Sequence, residues 1–134
     1  MAPTKHIASC TATAAVLILS FIKTGEGAEY TLFPHADKAV HAAMYFALAA
    51  AFCYDSRKSA YRGRPLASML GCIVAALAIG AVTELGQEYL TDYRSGDIYD
   101  FLADAAGSVA GAATATYLLV SKNKKLKKDS GHYA

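Results

Sequence analysis

Residues 65–85 read PLASMLGCIVAALAIGAVTEL, and Glu84 is their only charged residue. A soluble helix of this length would place a charge on its wet face at about every turn. A membrane-spanning helix needs about 20 mainly apolar residues, which this stretch supplies. Pro65 fits the first turn of a helix, where its missing N–H group has no partner to lose. The sequence therefore predicts a membrane helix here.

Three further apolar stretches lie at about residues 6–22, 37–54 and 100–120. Alanine, leucine and glycine dominate them, which favours helix over strand. Only 18% of the chain is charged, below the usual quarter for a soluble domain. We therefore predict an all-α fold, in which residues 1–134 form a single integral membrane domain of four transmembrane helices with a basic tail at 121–134. One alternative is a soluble four-helix bundle, but this would need a polar face on each helix, and none of the four stretches has one. A second alternative concerns the first stretch alone, which also fits a cleaved signal peptide.

The basic residues predict the orientation. The loop at 55–64 and the tail at 121–134 are rich in arginine and lysine, whereas the loops at 23–38 and 86–100 are acidic on balance. Short loops that carry excess lysine and arginine stay on the cytoplasmic side. We therefore expect both termini to be cytoplasmic and the acidic loops to face outward.

Other functional classes find little support. A net charge of +2 is too small to indicate binding to nucleic acid. Cys10, Cys53 and Cys72 have no paired short spacing, and therefore indicate neither a disulfide framework nor a cysteine metal site. We predict no cofactor, and the spacing of the possible ligands predicts no metal site.

A set of polar residues is predicted to lie at one depth in the membrane, near its outer face. In the predicted orientation, helices 2 and 4 begin at that face and helix 3 ends there. Such groups are unfavourable in a membrane span and are expected to contact one another or water. They are Asp37, Lys38, His41, Glu84, Gln87, Glu88, Arg94, Asp97, Asp100 and Asp104. One interpretation is a structural network that locks the helices together. The other is an outward-facing pocket that binds a ligand, which we favour because acids outnumber bases.

Helix 4 combines its acidic residues with a glycine pattern. Asp100, Asp104, Gly107 and Gly111 follow the spacing i, i+4, i+7 and i+11 and so share one face of the helix. Small residues spaced in this way let two helix backbones approach closely. We predict that this face packs within the bundle and that Asp104 points inward rather than into lipid.

Two segments resemble signatures of the VanZ-like membrane proteins. DKAVHAAMYFAL, residues 37–48, is similar to the family pattern D-K-x-x-H-x-x-x-Y-F. Residues 84–111 resemble the second signature, E-x-x-Q followed by R-x-x-D-x-x-D and a helix with two glycines. The resemblance adds Tyr45 to the candidate ligand-binding residues. The family usually has asparagine at the position of Asp104, so this chain differs there by a possible negative charge.

The resemblance implies a multi-pass protein of the bacterial inner membrane. The family's namesake is associated with low-level resistance to the glycopeptide antibiotic teicoplanin. We therefore expect a non-catalytic protein that binds a cell-envelope lipid, a glycolipid precursor or a lipidated glycopeptide through the outer polar residues. In that role Lys38 and Arg94 would contact a phosphate or carboxylate group, and the acidic residues would bind hydroxyl groups, amines or a bridging divalent cation. The alternatives are a small membrane hydrolase or transferase that acts on a lipid or isoprenoid substrate, with His41 as general base or acid, and a structural partner in a larger complex. Enzyme activity is less favoured, because the chain has no nucleophile motif and no phosphate-binding loop.

Overall fold

The computed structural model describes residues 6–22, 36–57, 63–92 and 96–131. Within these ranges the chain forms helices and no strand, which confirms the predicted all-α class. The helices are α1 (Ile7–Phe21), α2 (Ala36–Asp55), α3 (Pro65–Leu90) and α4 (Ile98–Ser130).

Two helices extend beyond their predicted ends. α3 continues to Leu90 rather than ending near residue 85. α4 runs through the segment predicted as a basic tail and ends at Ser130. Lysine and leucine are good helix formers, so a run of charge ends the membrane-compatible part of a helix without ending the helix itself.

The helices alternate in direction. The start of α1 contacts the end of α2, where the Ser9 hydroxyl donates a hydrogen bond of 2.6 Å to Asp55. The end of α1 contacts the end of α3, where the Gln87 side-chain amide donates to the Ser20 carbonyl at 2.9 Å. α1 and α3 therefore run one way and α2 runs the other, as in an up-down bundle.

α2 and α4 run parallel and form the most extensive helix pair. Gly107 and Gly111 are both buried, and each faces a backbone carbonyl of α2. A Cβ atom at Gly107 would overlap the Ala42 carbonyl, and one at Gly111 would overlap the Phe46 carbonyl. The glycine face of α4 therefore contacts α2 backbone to backbone, an approach that no larger residue allows.

The outward faces of the bundle are apolar, whereas several buried side chains are polar. The exposed face of α3 follows a helical repeat of Leu66, Leu70, Val74, Val82 and Leu85. Buried polar or charged side chains are Ser20, His41, Thr83, Gln87, Asp100, Asp104 and Ser108. Soluble monomers rarely expose extended apolar surfaces of this kind.

One helix within the described residues, α3, is long and apolar enough to cross a membrane, with a mean hydropathy of 2.2 over its best window. α1 is apolar but has only 15 residues. α2 begins with Asp37 and Lys38 and carries His41 in its second turn. α4 carries Asp100 and Asp104 near its start. Of the four predicted membrane spans, α3 alone therefore meets the criteria of length and hydropathy within the described residues.

Candidate functional site

The polar cluster lies where α2 and α4 begin and α3 ends. We define it as Asp37, Lys38, His41, Glu84, Asp97, Asp100 and Asp104. At its rim, the Lys38 ammonium lies 2.8 Å from Asp100 Oδ1, 3.1 Å from Asp97 Oδ2 and 3.2 Å from Asp37 Oδ2. The Lys38 ammonium therefore forms ion pairs with three carboxylates at the N-terminal ends of α2 and α4, and these carboxylates neutralise its charge.

The interior of the cluster is a histidine–aspartate pair. His41 Nδ1 lies 3.0 Å from Asp104 Oδ1, and both residues are buried. Asp100 Oδ2 lies 3.8 Å from His41 Nε2 on the rim side. The imidazole therefore sits between a buried carboxylate of α4 and the carboxylate that Lys38 binds.

Glu84 brings α3 into the cluster. Its Oε2 atom accepts a 2.9 Å hydrogen bond from the backbone N–H of Asp97. One turn later, Glu88 Oε2 accepts the backbone N–H of Gly96 at the same distance. These two glutamates hold the segment before α4 against the end of α3, so Glu84 both positions α4 and contributes a carboxylate to the site.

Two carboxylate oxygens in the cluster are buried and have no hydrogen-bond partner within the described parts of the chain. They are Asp104 Oδ2 and Glu84 Oε1. Asp104 itself is 0% exposed. A side-chain carbon at Gly80 would lie 3.3 Å from Asp104 Oδ2, so a glycine of α3 leaves room for this oxygen. Buried carboxylate oxygens are normally satisfied, which makes this pair the most unusual feature of the site.

Asp97 has a clear local role. It is the N-cap of α4, and its side chain accepts the backbone N–H of Tyr99 at 2.8 Å. That hydrogen bond, followed by the contact with Lys38, lowers the pKa of Asp97 below its usual value. Asp97 therefore stays ionised at neutral pH while its side chain remains 40% exposed.

Two of the predicted ligand-binding residues, Gln87 and Tyr45, lie outside this cluster. Gln87 points toward α1 and binds Ser20 rather than the cluster. The Tyr45 hydroxyl donates to Thr83 Oγ1 at 3.4 Å, deeper between α2 and α3. Arg94 lies outside the described residues. Gly107 and Gly111 take the packing position that the glycine pattern predicted, next to Asp104 on α4.

Sequence reasoning did not predict the roles of Thr83 and Gly80. Thr83 is buried beside Glu84, accepts from Tyr45, and donates to the carbonyl of Ile79. Gly80 lies one turn earlier on the same face. The signal in the sequence was their spacing from Gln87, i−4 and i−7, which marks one buried face of α3.

The cluster combines an imidazole, several carboxylates and one neutralised lysine. Such a set suits the binding of amines, hydroxyl groups or a cation, because carboxylates accept hydrogen bonds and attract positive charge. Comparison of the chain with family models, curated proteins and solved structures found no match.

Proposed function

We propose that the chain is a four-span membrane protein of the bacterial inner membrane, related to the VanZ-like proteins. Its polar cluster faces outward and binds an amine- or hydroxyl-bearing head group. The candidate ligands are a cell-envelope lipid, a glycolipid precursor and a lipidated glycopeptide of the teicoplanin type. Both termini lie in the cytoplasm.

The distribution of polar and apolar residues supports the membrane assignment. Large apolar side chains of α1, α3 and α4 are exposed, whereas His41 and Asp104 are buried between helices. Protein bundles in lipid face the hydrocarbon with apolar residues and turn ionisable groups inward. α2 has 20 residues, which at 1.5 Å per residue gives about 30 Å, the thickness of the hydrocarbon core.

The charges at the two ends of the bundle support the orientation. The polar cluster lies at one end, and Arg57, Arg64 and the lysines of α4 lie at the other. Basic residues remain on the cytoplasmic side. This distribution of charge supports an orientation in which the acidic cluster faces outward, toward extracellular lipid head groups and antibiotics.

The observation that carries the ligand chemistry is the exposed acidic rim. Asp37 and Asp97 keep 55% and 40% of their side chains exposed. Lys38 is surrounded by three carboxylates, so it offers an incoming phosphate little attraction. The rim therefore favours donors such as ammonium and hydroxyl groups over anions, and the expectation that Lys38 binds phosphate is set aside.

Binding is favoured over hydrolysis because His41 is buried. Its side chain is 3% exposed and pairs with Asp104. A general base must reach the proton that it removes, directly or through one water molecule. In this arrangement a head group reaches the rim carboxylates before it reaches the imidazole.

The test compares two lipids with the same acyl chains and different head groups. Phosphatidylethanolamine carries an ammonium that donates hydrogen bonds, whereas phosphatidylcholine carries the same charge and no N–H donor. We expect the purified chain in detergent to retain phosphatidylethanolamine more strongly by native mass spectrometry. A separate titration with teicoplanin distinguishes an antibiotic ligand from a membrane lipid.

The double variant Asp37→Asn/Asp97→Asn should weaken binding of the preferred ligand about tenfold or more, since it removes two charge-assisted acceptors. Asparagine preserves the N-cap of α4, so the fold is retained. The matched control is Asp129→Asn at the exposed far end of α4. Equal binding of all three proteins to both lipids and to teicoplanin would contradict the proposal.

A further inference from the structure

We propose that His41, Glu84 and Asp104 form a site for one divalent transition-metal ion, buried beneath the rim. One ligand atom from each residue lies within 4.8 Å of the other two. The three residues come from α2, α3 and α4, so a bound ion would join three helices of the bundle. This site goes beyond head-group binding, because it requires neither a lipid nor the exposed carboxylates Asp37 and Asp97.

The unsatisfied oxygens are the second, independent observation. Asp104 Oδ2 and Glu84 Oε1 are both buried without a hydrogen-bond partner within the described residues. A buried carboxylate oxygen without a partner is strongly unfavourable. Coordination of a cation would satisfy both oxygens at once, whereas the hydrogen bonds already present satisfy only Asp104 Oδ1 and Glu84 Oε2.

The geometry requires only small adjustments. Metal–oxygen and metal–nitrogen bonds of about 2.0–2.2 Å place neighbouring ligand atoms about 3–4 Å apart. His41 Nδ1 and Asp104 Oδ1 are already 3.0 Å apart. One carboxylate oxygen of Glu84 lies within 4.8 Å of a ligand atom of each of the other two residues. The missing side chain at Gly80 leaves room beside Asp104.

The charges also balance. Two carboxylates and a neutral imidazole compensate a dication fully, which lowers the free energy of holding all four groups in a low-dielectric interior. Lys38 neutralises part of the rim instead, through Asp37, Asp97 and Asp100. Lys38 does not contact the two interior acids, Glu84 and Asp104, which therefore remain available to bind a different cation.

The ligand set favours Mn²⁺ or Zn²⁺ over Mg²⁺ and Ca²⁺. Imidazole suits first-row transition metals, whereas Mg²⁺ and Ca²⁺ prefer oxygen ligands alone. Three protein ligands leave coordination positions open, as in metal sites that also bind water or a ligand. The open positions would face the rim, where Asp100 lies 3.8 Å from the imidazole.

The test uses the full chain, purified in detergent, stripped with a chelator and titrated with Mn²⁺. Electron paramagnetic resonance counts bound ions, and pulsed measurements detect nitrogen from a coordinating imidazole. We expect about one ion per chain with a nitrogen coupling, displaced by Zn²⁺. Because the wild-type spectrum reports the histidine directly, this result does not depend on any variant folding.

Asp104→Asn and Glu84→Gln should each raise the Kd for Mn²⁺ about tenfold or more, since each replaces a charged ligand by a similarly shaped amide. Glu88→Gln is the matched control, because Glu88 lies one turn from Glu84, is exposed, and binds only the Gly96 backbone in the described structure. Binding without nitrogen coupling would place the ion on the rim and overturn the proposal. The absence of saturable binding, or an equal loss in Glu88→Gln, would also overturn it. Lipid binding by the chelated protein is measured separately, so failure of the metal site leaves the head-group proposal standing.

Discussion

Replacing Gly111 with leucine should destabilise the bundle by about 3 kcal/mol or more, because overpacking a rigid contact moves backbone as well as side chains. Even the first side-chain atom would overlap the Phe46 carbonyl, and it would lie 2.8 Å from the carbonyl carbon. α4 would have to move away from α2, which also separates Asp104 from His41. We expect a lower thermal midpoint in detergent and the loss of any ligand or metal binding.

Gly71→Leu is the control for this substitution. Like Gly111, Gly71 lies within a helix, but Gly71 is exposed, and a Cβ there would meet nothing within 4 Å. Leucine is a better helix former than glycine by about 1 kcal/mol, so the control should melt at the wild-type midpoint or slightly above it. If Gly111→Leu melted together with Gly71→Leu, the glycine face of α4 would not be the face that contacts α2.

The second large effect is expected at the His41–Asp104 pair. His41→Ala or Asp104→Ala should each lower the free energy of unfolding by about 3 kcal/mol, because each removes one partner of a buried polar contact. The double variant should lose less than the sum of the two single losses, with a coupling of about 1–3 kcal/mol. Denaturant titration of the four proteins in one detergent measures this coupling.

A matched cycle of His41→Ala with Asp129→Ala provides the reference, since the exposed Asp129 lies at the far end of α4. Those two changes should add within about 0.5 kcal/mol. Strict additivity for His41 and Asp104 would mean that their 3.0 Å contact contributes nothing. If single variants lost stability and binding in parallel, the cluster would be a structural network rather than a binding site.

The acidic face of α4 shows how far sequence reasoning reaches. The spacing of Asp100, Asp104, Gly107 and Gly111 predicted one inward face, and the structure buries all four residues. This part could be predicted because the helical repeat alone puts the four residues on one face, whichever neighbour the helix packs against. Residues i, i+4, i+7 and i+11 cannot be separated by any change of partner.

α3 shows where that reasoning ends. Glu84 and Gln87 were predicted to lie at the same depth and to serve one site. In the structure Glu84 contacts the start of α4, whereas Gln87 contacts α1. Residues three apart differ in direction by about 60°, since a helix turns once in 3.6 residues. That angle is enough to reach two different neighbours, and sequence spacing alone does not identify the neighbour.

The state of Lys38 was equally hidden from the sequence. A lysine beside several acids was predicted to be available for a phosphate or carboxylate ligand. Its ammonium instead contacts carboxylates of Asp37, Asp97 and Asp100. Which acids surround a flexible lysine depends on the relative rotation of two helices, which follows from packing at Gly107 and Gly111.

The central claim is that the polar cluster opens on the outer side of a membrane and the basic end lies in the cytoplasm. Single cysteines at Asp37 and Lys128, in a background without Cys10, Cys53 and Cys72, report the two ends of the bundle. A membrane-impermeant maleimide should label Asp37→Cys in intact spheroplasts, and label Lys128→Cys only after permeabilisation. The opposite pattern, labelling of both sites from one side, or recovery of the chain in the soluble fraction would contradict the account.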